Sequence, residues 1–313
     1  MIKPLVVIAG PTAVGKSDLA VNIAKIIGGE IISADSMQIY KYMDIGTAKV
    51  TEEEKSGIRH HLIDVLNPDC SFDALSFKNL ATEAIDDILS RDHIPIICGG
   101  TGFYIQAVTK DIDFTEEDNI EIRKDIEAFY EKEGMDALFE RLRSIDPESC
   151  EIIPKQNIKR VVRAIEFYEI HGIKISEHNK IQHQNETPYN LAYFVIERNR
   201  EDLYADIDRR VDIMVENGLL DEVKNITSKF EFDERAGICN AIGYREILAY
   251  LNDDYSFERA VELIKQNSRH YAKRQFTFFK REKDAIWLSR DNMSKEMIIE
   301  SILKVLREKH IYE

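Results

Sequence analysis

The feature that most limits how this chain can fold is a loop near its amino terminus, Gly10-Pro11-Thr12-Ala13-Val14-Gly15-Lys16-Ser17. It matches the phosphate-binding pattern G-x-x-x-x-G-K-[ST]. The apolar run Leu5–Ala9 before it suits a buried strand, and apolar residues recur at helical spacing after it, from Leu19 to Ile27. Strand, loop and helix therefore come in the order that a pyrophosphate-binding loop requires, whereas an ordinary strand-to-helix turn is the plainer alternative.

The chemistry of this loop assigns a role to each part. Backbone N–H groups of residues 10–17 can close on phosphate oxygens, and the following helix points its positive end at them. The side chain of Lys16 adds a positive charge. The hydroxyl of Ser17 is the predicted ligand of a Mg²⁺ ion, which is the expected cofactor.

The rest of the chain predicts an α/β fold with two domains. Helical patterns alternate with strand-like runs at Leu5–Ala9, Glu30–Ser33, Leu62–Val65 and Ile94–Cys98. This alternation is typical of a P-loop type parallel sheet with helices on both faces. Residues 114–188 are highly charged and helix-patterned, and predict a helical insertion domain. Strand signals return at Ala192–Ile196 and Ala285–Leu288, so residues 1–113 and 189–313 are expected to form the core domain.

Composition excludes several classes of protein. No apolar stretch approaches the roughly 18 residues of a membrane span, and Met1-Ile2-Lys3-Pro4 leads directly into the first strand rather than a signal peptide. We therefore expect a cytoplasmic protein with no membrane partner. The four cysteines are far apart and form no C-x-x-C pair, which argues against a disulfide framework and a zinc site.

Charge is distributed unevenly along the chain. The net charge of −15 argues by itself against a polyanionic partner. However, residues 111–136 contain eleven acidic and three basic residues, whereas residues 269–283 contain six basic and one acidic, interleaved with four aromatic residues. Cations mixed with aromatic rings suit an RNA surface. A basic amphipathic helix whose aromatic residues face the core is an equally good interpretation of this segment.

Ligands of such a sheet collect at the carboxyl ends of its strands, so the loops there should carry the reactive groups. Asp35 follows the second predicted strand and is expected to lie beside the phosphate loop. Its carboxylate is a candidate Mg²⁺ ligand or general base, whereas a turn or helix cap is the structural alternative. The segment Gly99–Tyr104 follows the fourth strand, and its glycines would permit a ligand to approach the backbone closely.

Taken together, the motifs resemble those of the bacterial tRNA dimethylallyltransferase family. Besides the phosphate loop, the motifs that carry the resemblance are Asp35-Ser36-Met37-Gln38-Ile39-Tyr40, Met43-Asp44-Ile45-Gly46-Thr47-Ala48-Lys49, His60-His61-Leu62-Ile63-Asp64, Gly99-Gly100-Thr101-Gly102-Phe103-Tyr104, Gln156-Asn157-Ile158-Lys159-Arg160, Arg209-Arg210-Val211, Asn240-Ala241-Ile242-Gly243-Tyr244-Arg245 and Lys273-Arg274-Gln275-Phe276-Thr277. The resemblance implies transfer of a dimethylallyl group from its diphosphate to N6 of adenosine 37, beside the tRNA anticodon.

This reaction gives the candidate residues their roles. The exocyclic amine of adenine is a poor nucleophile, so Asp35 is the candidate base that accepts its proton. Lys16, the loop amides and Ser17 with Mg²⁺ would stabilise the departing pyrophosphate. By resemblance, Arg210 reaches the same diphosphate and Thr12 contacts the substrate. An ion pair with Asp206 or Asp208 is the structural alternative for Arg210.

The adenosine must leave the base stack to reach a buried reaction centre, so an RNA-gripping surface is expected. The resemblance implies that the partner is the anticodon stem-loop of tRNA, and that the carboxy-terminal helices of the core contribute to binding it. We expect a monomer. The predicted tRNA contacts are Asp35, Ser36, Met37, Gln38, Thr101, Arg123, Gln156, Asn157, Ile158, Lys159, Arg160, Asn240, Gly243, Tyr244, Arg245, Lys273, Arg274, Lys280 and Arg281. For Arg123, an i,i+4 partner at Glu127 or Asn119 explains the residue equally well.

Two rival functions use the same loop. A small-molecule kinase would hold ATP there, and Asp35 would activate an acceptor hydroxyl; the net charge favours this alternative slightly. An NTP-dependent switch needs an apolar strand that ends in a Mg²⁺-binding Asp. The run Ile94–Cys98 continues instead into Gly99.

Overall fold

The protein is described by a computed structural model that covers residues 2–114, 120–183, 185–233 and 236–313. Asn119, one predicted partner of Arg123, lies outside these residues. The chain divides into two compact units. The core unit consists of Met1–Thr109 and Thr187–Glu313, and the insertion unit of Lys110–Glu186. The sequence-based boundaries, 113/114 and 188/189, lie within a few residues of this division.

The core unit is built on a six-stranded parallel sheet. Its strands are β1 (Lys3–Ala9), β2 (Gly29–Ala34), β3 (His60–His61), β4 (Ile94–Gly99), β5 (Tyr189–Glu197) and β6 (Ile286–Ser289). The spatial order is β3-β2-β4-β1-β5-β6. The predicted parallel sheet is therefore confirmed, and the carboxyl ends of all six strands lie on one edge.

One predicted strand is wrong. Residues 62–65 do not form a strand, and β3 is confined to the two preceding histidines. The backbone explains the difference, because Leu62 and Asp64 have φ angles of 61° and 57°. These values lie in the left-handed region, which an extended strand cannot contain.

Helices cover both faces of the sheet, as predicted. In the core unit they are α1 (Lys16–Ile27), α2 (Glu52–Lys55), α3 (Ala74–Ser90), α4 (Gly102–Thr109), α9 (Arg200–Glu216), α10 (Leu219–Thr227), α11 (Gly237–Asn240), α12 (Tyr244–Leu251), α13 (Phe257–Phe279) and α14 (Lys295–Glu308). Alternate residues of β1 enter different hydrophobic clusters: Leu5 and Val7 pack on one face, and Val6 and Ile8 on the other. Every strand residue from Leu5 to Ala9 is thus buried, which is typical of a parallel sheet.

The insertion unit is helical within its described residues. It contains α5 (Ile120–Ile145), α6 (Pro147–Ile152), α7 (Ile158–His171) and α8 (Ile175–His183). Its hydrophobic cluster includes Leu138, Leu142, Val161 and Ile165. The unit therefore has a core of its own.

All four cysteines are free thiols. Among the described residues, no helix combines the length and apolar character that a membrane span requires.

Candidate active site

Two neighbouring cavities of the core unit meet at Thr12, Asp35, Thr47 and Arg210, which line both. The first, which we call the phosphate-loop cavity, is also lined by Lys16, Ser17, Gln38, Ala48, Cys98 and Gly99. The second cavity is also lined by Ser36, Met37, Asn240, Arg245, Tyr271 and Arg274. The arrangement provides one place for a phosphate-containing ligand and an adjoining place for a second reactant.

The phosphate loop has the geometry expected from its sequence. Ala13 and Gly15 have positive φ angles of 64° and 82°, and α1 begins immediately afterwards at Lys16. The Lys16 ammonium donates a hydrogen bond to the carbonyl of Pro11 at 3.2 Å. Burial lowers the pKa of Lys16, and nearby Arg210 lowers it further, whereas Cys98 and Asp35 act in the opposite direction. The amine is therefore held in a desolvated cavity, where its charge acts strongly on an anionic ligand.

The side chain of Gln275, on α13, closes the loop from the other side. Its Oε1 accepts a hydrogen bond from the Thr12 N–H at 2.9 Å, and its Nε2 donates to the Gly100 carbonyl at 2.9 Å. One loop amide is thus engaged by the protein itself. Gln275 belongs to the motif Lys273-Arg274-Gln275-Phe276-Thr277, but its sequence pattern gave it no role in the site. The pattern that could have identified it is a polar glutamine on the otherwise apolar, buried face of a helix, between Ala272 and Phe279.

At Gly99, the last residue of β4, and at Gly100, the missing side chain makes room for protein groups. A Cβ added at Gly100 would lie 2.1 Å from Gln275 Nε2, and one at Gly99 would lie 2.1 Å from the Ala34 carbonyl oxygen. Gly99 also lines the phosphate-loop cavity, so the expectation that these glycines let a ligand approach the backbone stays a prediction. Their physical role is to allow close packing of β2, β4 and α13.

Asp35 lies beside the phosphate loop as predicted, although its strand does not adjoin the strand of the loop. Strand β4 separates β2 from β1. Asp35 Oδ1 accepts a hydrogen bond from the Met37 N–H at 2.9 Å. The N–H of Ser36, which lies between these two residues, donates to Thr101 Oγ1 at 3.1 Å. These bonds fix the turn that carries the carboxylate.

Arg210 points from α9 into both cavities. Its guanidinium donates to Thr12 Oγ1 at 3.2 Å and to the Ala48 carbonyl at 3.4 Å. Burial lowers the pKa of Arg210, and Asp35 opposes this shift. The structural alternative is not observed, because Asp206 pairs with Arg198 and Arg209, and Asp208 pairs with Arg269.

Tyr271 is a second residue that the sequence analysis did not select. It lies on α13 and lines the second cavity, where the side chains of Thr101 and Gln275 act to lower the pKa of its hydroxyl. Burial is the main cause that raises its pKa to about 12, and the Asp35 carboxylate acts in the same direction. Tyr271 therefore remains a neutral phenol that can donate a hydrogen bond inside the second cavity.

The segment 240–245 contributes unequally to the site. Asn240 and Arg245 are exposed and line the second cavity. Tyr244 is fully buried, and its hydroxyl donates to Glu222 at 2.6 Å; Gly243 is buried beside it. The prediction that Tyr244 and Gly243 contact tRNA directly is therefore wrong, because neither presents a surface to a macromolecule.

The basic segment 269–283, most of which lies in α13, has exposed cations and inward-packed aromatic rings. Lys273, Arg274, Lys280 and Arg281 are all exposed. Phe279, in contrast, belongs to the hydrophobic core, and Phe276 packs edge-on against Trp287. The cations thus form a surface, whereas these rings stabilise the fold and are not free platforms for bases.

The insertion unit carries the remaining predicted tRNA contacts. Asn157 caps α7, and Gln156, Lys159 and Arg160 are exposed around the same helix end. Ile158 is half-buried and packs on the hydrophobic cluster of the unit.

Arg123, on α5 of the same unit, has the structural partner anticipated for it. Its Nε lies 3.2 Å from Glu127 Oε1. This pair accounts for Arg123 without any reference to RNA.

A Mg²⁺ ion would find a sparse set of oxygen ligands here. The Ser17 hydroxyl and the Asp35 carboxylate line the same cavity. Within the described ranges, no three His, Cys, Asp or Glu side chains cluster as metal ligands. The residues fit Mg²⁺ none the less, because this ion is usually held by one or two protein groups together with substrate phosphates and water.

Comparisons with known proteins agree on one family. The profile described as IPP transferase matches residues 38–282. A tRNA dimethylallyltransferase of Lachnoclostridium phytofermentans is 50% identical over 312 residues, which cover 99% of each chain.

Solved structures have the same fold. The tRNA isopentenylpyrophosphate transferase of Bacillus halodurans is 39% identical, with a TM-score of 0.74 and 98% of each chain covered. A eukaryotic dimethylallyltransferase, described as acting on tRNA, is 30% identical, with a TM-score of 0.76 over 92% of this chain and 74% of its own.

Proposed function

The chain belongs to the IPP transferase family and is a prenyltransferase that modifies tRNA, and we propose that it acts on adenosine 37, beside the anticodon. The dimethylallyl group passes from dimethylallyl diphosphate to N6 of this base, and diphosphate is released. The observation that carries the proposal is the meeting of the phosphate-loop cavity and the second cavity at Thr12, Asp35, Thr47 and Arg210.

The diphosphate end of the donor is assigned to the phosphate-loop cavity. Negative charge grows on this group as the bond to the allylic carbon breaks, so fixed cations stabilise the transition state more than the bound substrate. Lys16 and Arg210 supply these cations. Since both are already desolvated, little reorganisation is needed when the charge develops.

Mg²⁺, when bound by Ser17 and the diphosphate, would neutralise part of the same charge. The fit of the Ser17 hydroxyl to a cavity that also contains Lys16 supports this cofactor. Thr12 Oγ1, which accepts a hydrogen bond from Arg210, is a further group at the diphosphate end.

The adenine is assigned to the second cavity, with N6 directed at the junction of the two cavities. Asp35 accepts the N6 proton as the C–N bond forms. The turn that carries it is fixed by the Met37 and Ser36 amides, which supports a defined position for the carboxylate. Tyr271 and Thr101 are neutral hydrogen-bonding groups beside it.

The tRNA partner is proposed to bind through its anticodon stem-loop. The flipped base would enter between Asn240, Arg245 and Arg274, which line the second cavity. Exposed cations at the end of α13 and around the start of α7 would contact phosphates. We also propose that the enzyme is cytoplasmic and monomeric.

A direct assay tests the assignment. The protein is incubated with Mg²⁺ and either dimethylallyl diphosphate or ATP, with and without an anticodon stem-loop RNA that contains A37. We expect prenylated RNA only with dimethylallyl diphosphate and RNA together, and no product when A37 is replaced by G. Phosphate transfer from ATP to a small acceptor, without prenylation, would instead support the kinase alternative.

A further inference from the structure

One carboxylate outside both cavities holds a whole stretch of backbone. Glu222, on α10, accepts hydrogen bonds from three consecutive amides, with distances of 2.9 Å from Asp44, 2.7 Å from Ile45 and 3.1 Å from Gly46. The Tyr244 hydroxyl donates a fourth hydrogen bond to it at 2.6 Å. Four donors thus converge on one side chain. Such convergence is favourable only for an anionic acceptor, since each bond is then charge-assisted.

The backbone of this stretch also packs directly on the tyrosine ring. A Cβ at Gly46 would lie 2.5 Å from Tyr244 Cε2 and 2.9 Å from Leu219 Cδ1. A residue with any side chain at this position would push the segment away from α10 and α12. The contact therefore fixes the segment by packing as well as by hydrogen bonding.

The other end of the segment forms part of the site. Thr47 lines both cavities, and the Ala48 carbonyl accepts hydrogen bonds from Arg210 at 3.4 Å and from Gln38 Nε2 at 3.3 Å. Gln38 Nε2 also lies 3.5 Å from the Thr47 carbonyl. The position of residues 47–48 therefore sets where two candidate substrate-binding side chains point.

We propose that Glu222 and Tyr244 are positioning residues for the transfer reaction, which act by holding residues 44–48 so that the Ala48 carbonyl orients Arg210. This inference rests on the proposed function. The ionised carboxylate is required because both of its oxygens face N–H or O–H donors. In a Glu222→Gln variant the amide group would turn its own N–H toward one of these donors and leave it unpaired.

The test is a double-mutant cycle between Glu222→Gln and Arg210→Ala, measured by single-turnover transfer at saturating dimethylallyl diphosphate. We expect Glu222→Gln to slow transfer about tenfold in the wild-type background, but less than about twofold when Arg210 is already absent. Tyr244→Phe, which removes only the fourth donor, should slow transfer in the same direction and serves if Glu222→Gln does not fold.

The matched control is Glu30→Gln. Glu30 is another buried carboxylate of the core unit, held by Arg91 and His61 at the amino end of β2, away from both cavities. The Glu30→Gln substitution should lower the melting temperature without changing the transfer rate. If wild-type enzyme prenylates the RNA and Glu222→Gln slows transfer equally in both Arg210 backgrounds, or not at all, the inference is wrong. Failure of the wild type itself would instead refute the proposed function.

Discussion

At the scale of single residues, the proposed chemistry depends most directly on Asp35. Asp35→Ala should reduce single-turnover transfer by about 100-fold or more, because no group would then accept the N6 proton. Affinities for tRNA and for dimethylallyl diphosphate, measured by equilibrium binding, should change little. Asp35→Asn keeps an oxygen for the Met37 amide and should be as slow as the alanine variant.

The control for Asp35 is Asp86→Ala, which removes an exposed carboxylate of α3 that pairs with Lys3 and lines neither cavity. Its transfer rate should equal that of wild type. A rate of Asp35→Ala within a few-fold of wild type would remove this residue from the base role.

Lys16 and Arg210 are predicted to act on the same pyrophosphate. Each alanine variant should lose about 2 to 4 kcal/mol of transition-state stabilisation, and the double variant less than the sum. The proximity of the two charges supports this coupling, since Arg210 lowers the pKa of Lys16. The measurement is kcat/KM for dimethylallyl diphosphate in all four enzymes of the cycle.

Arg209 provides a matched control for Arg210. It is the adjacent arginine, exposed on α9 and paired with Asp206 at 3.0 Å. Arg209→Ala should leave kcat/KM unchanged. Full additivity of Lys16→Ala and Arg210→Ala would contradict a shared role.

At the scale of elements, α13 carries two functions on different faces. One face inserts Gln275 and Tyr271 beside the phosphate loop. The other presents Lys273 and Arg274 to solvent, and Lys280 and Arg281, just beyond the end of the helix, are also exposed. A single helix thus connects the reaction centre to a positively charged surface, although the chain as a whole is acidic.

The exposed cations at and just beyond the end of α13 should make RNA binding depend on salt concentration. Neutralising Lys273, Arg274, Lys280 or Arg281 to Gln should weaken tRNA affinity and reduce the slope of log affinity against log salt by up to about one. Each cation that contacts a phosphate releases counterions, and its loss removes that contribution. Affinity should be measured by filter binding between low and physiological salt.

Lys304→Gln, which neutralises an exposed cation of α14, is the control and should leave the slope unchanged. Affinity for dimethylallyl diphosphate should be unaffected by Lys273, Lys280 and Arg281 variants. If all four substitutions leave the tRNA affinity and the slope as they were, the RNA surface lies elsewhere.

At the scale of the whole molecule, the carboxylate of Glu30 should make the free energy of unfolding depend on pH in the acid range. Hydrogen bonds from Arg91, and to a lesser extent from His61, lower the pKa of Glu30 from 4.5 to about 2. Because the folded-state pKa lies below the unfolded value, the ionised group stabilises the fold fully above pH 4.5. This contribution is lost as pH falls from about 4.5 toward 2.

Glu30→Gln should therefore be less stable than wild type at pH 7, and the difference should shrink as pH falls through this window. Urea unfolding at a series of pH values measures the effect. A difference between the two proteins that stays constant from pH 7 to pH 3 would show that the charge of Glu30 contributes nothing.

The sequence by itself determined the features that depend on short stretches of chain. The phosphate loop, the strand before it and the helix after it are adjacent, so their residue pattern specifies them directly. The same holds for five of the six strands and for the helical character of the insertion unit within its described residues. The ordered motifs were also sufficient for the family. The run 62–65 was mistaken for a strand because an apolar pattern does not reveal a positive φ.

Only the tertiary structure decided which distant groups complete the site. Thr12 and Gln275 are hydrogen-bonded across 263 residues of sequence, and Thr12 and Arg210 across 198. It also decided that Tyr244 is a buried partner of Glu222, although its motif had suggested contact with RNA. The physical reason is that packing selects among the possible partners of a polar side chain. A buried donor or acceptor must be satisfied, and the groups that satisfy it are those the fold brings near.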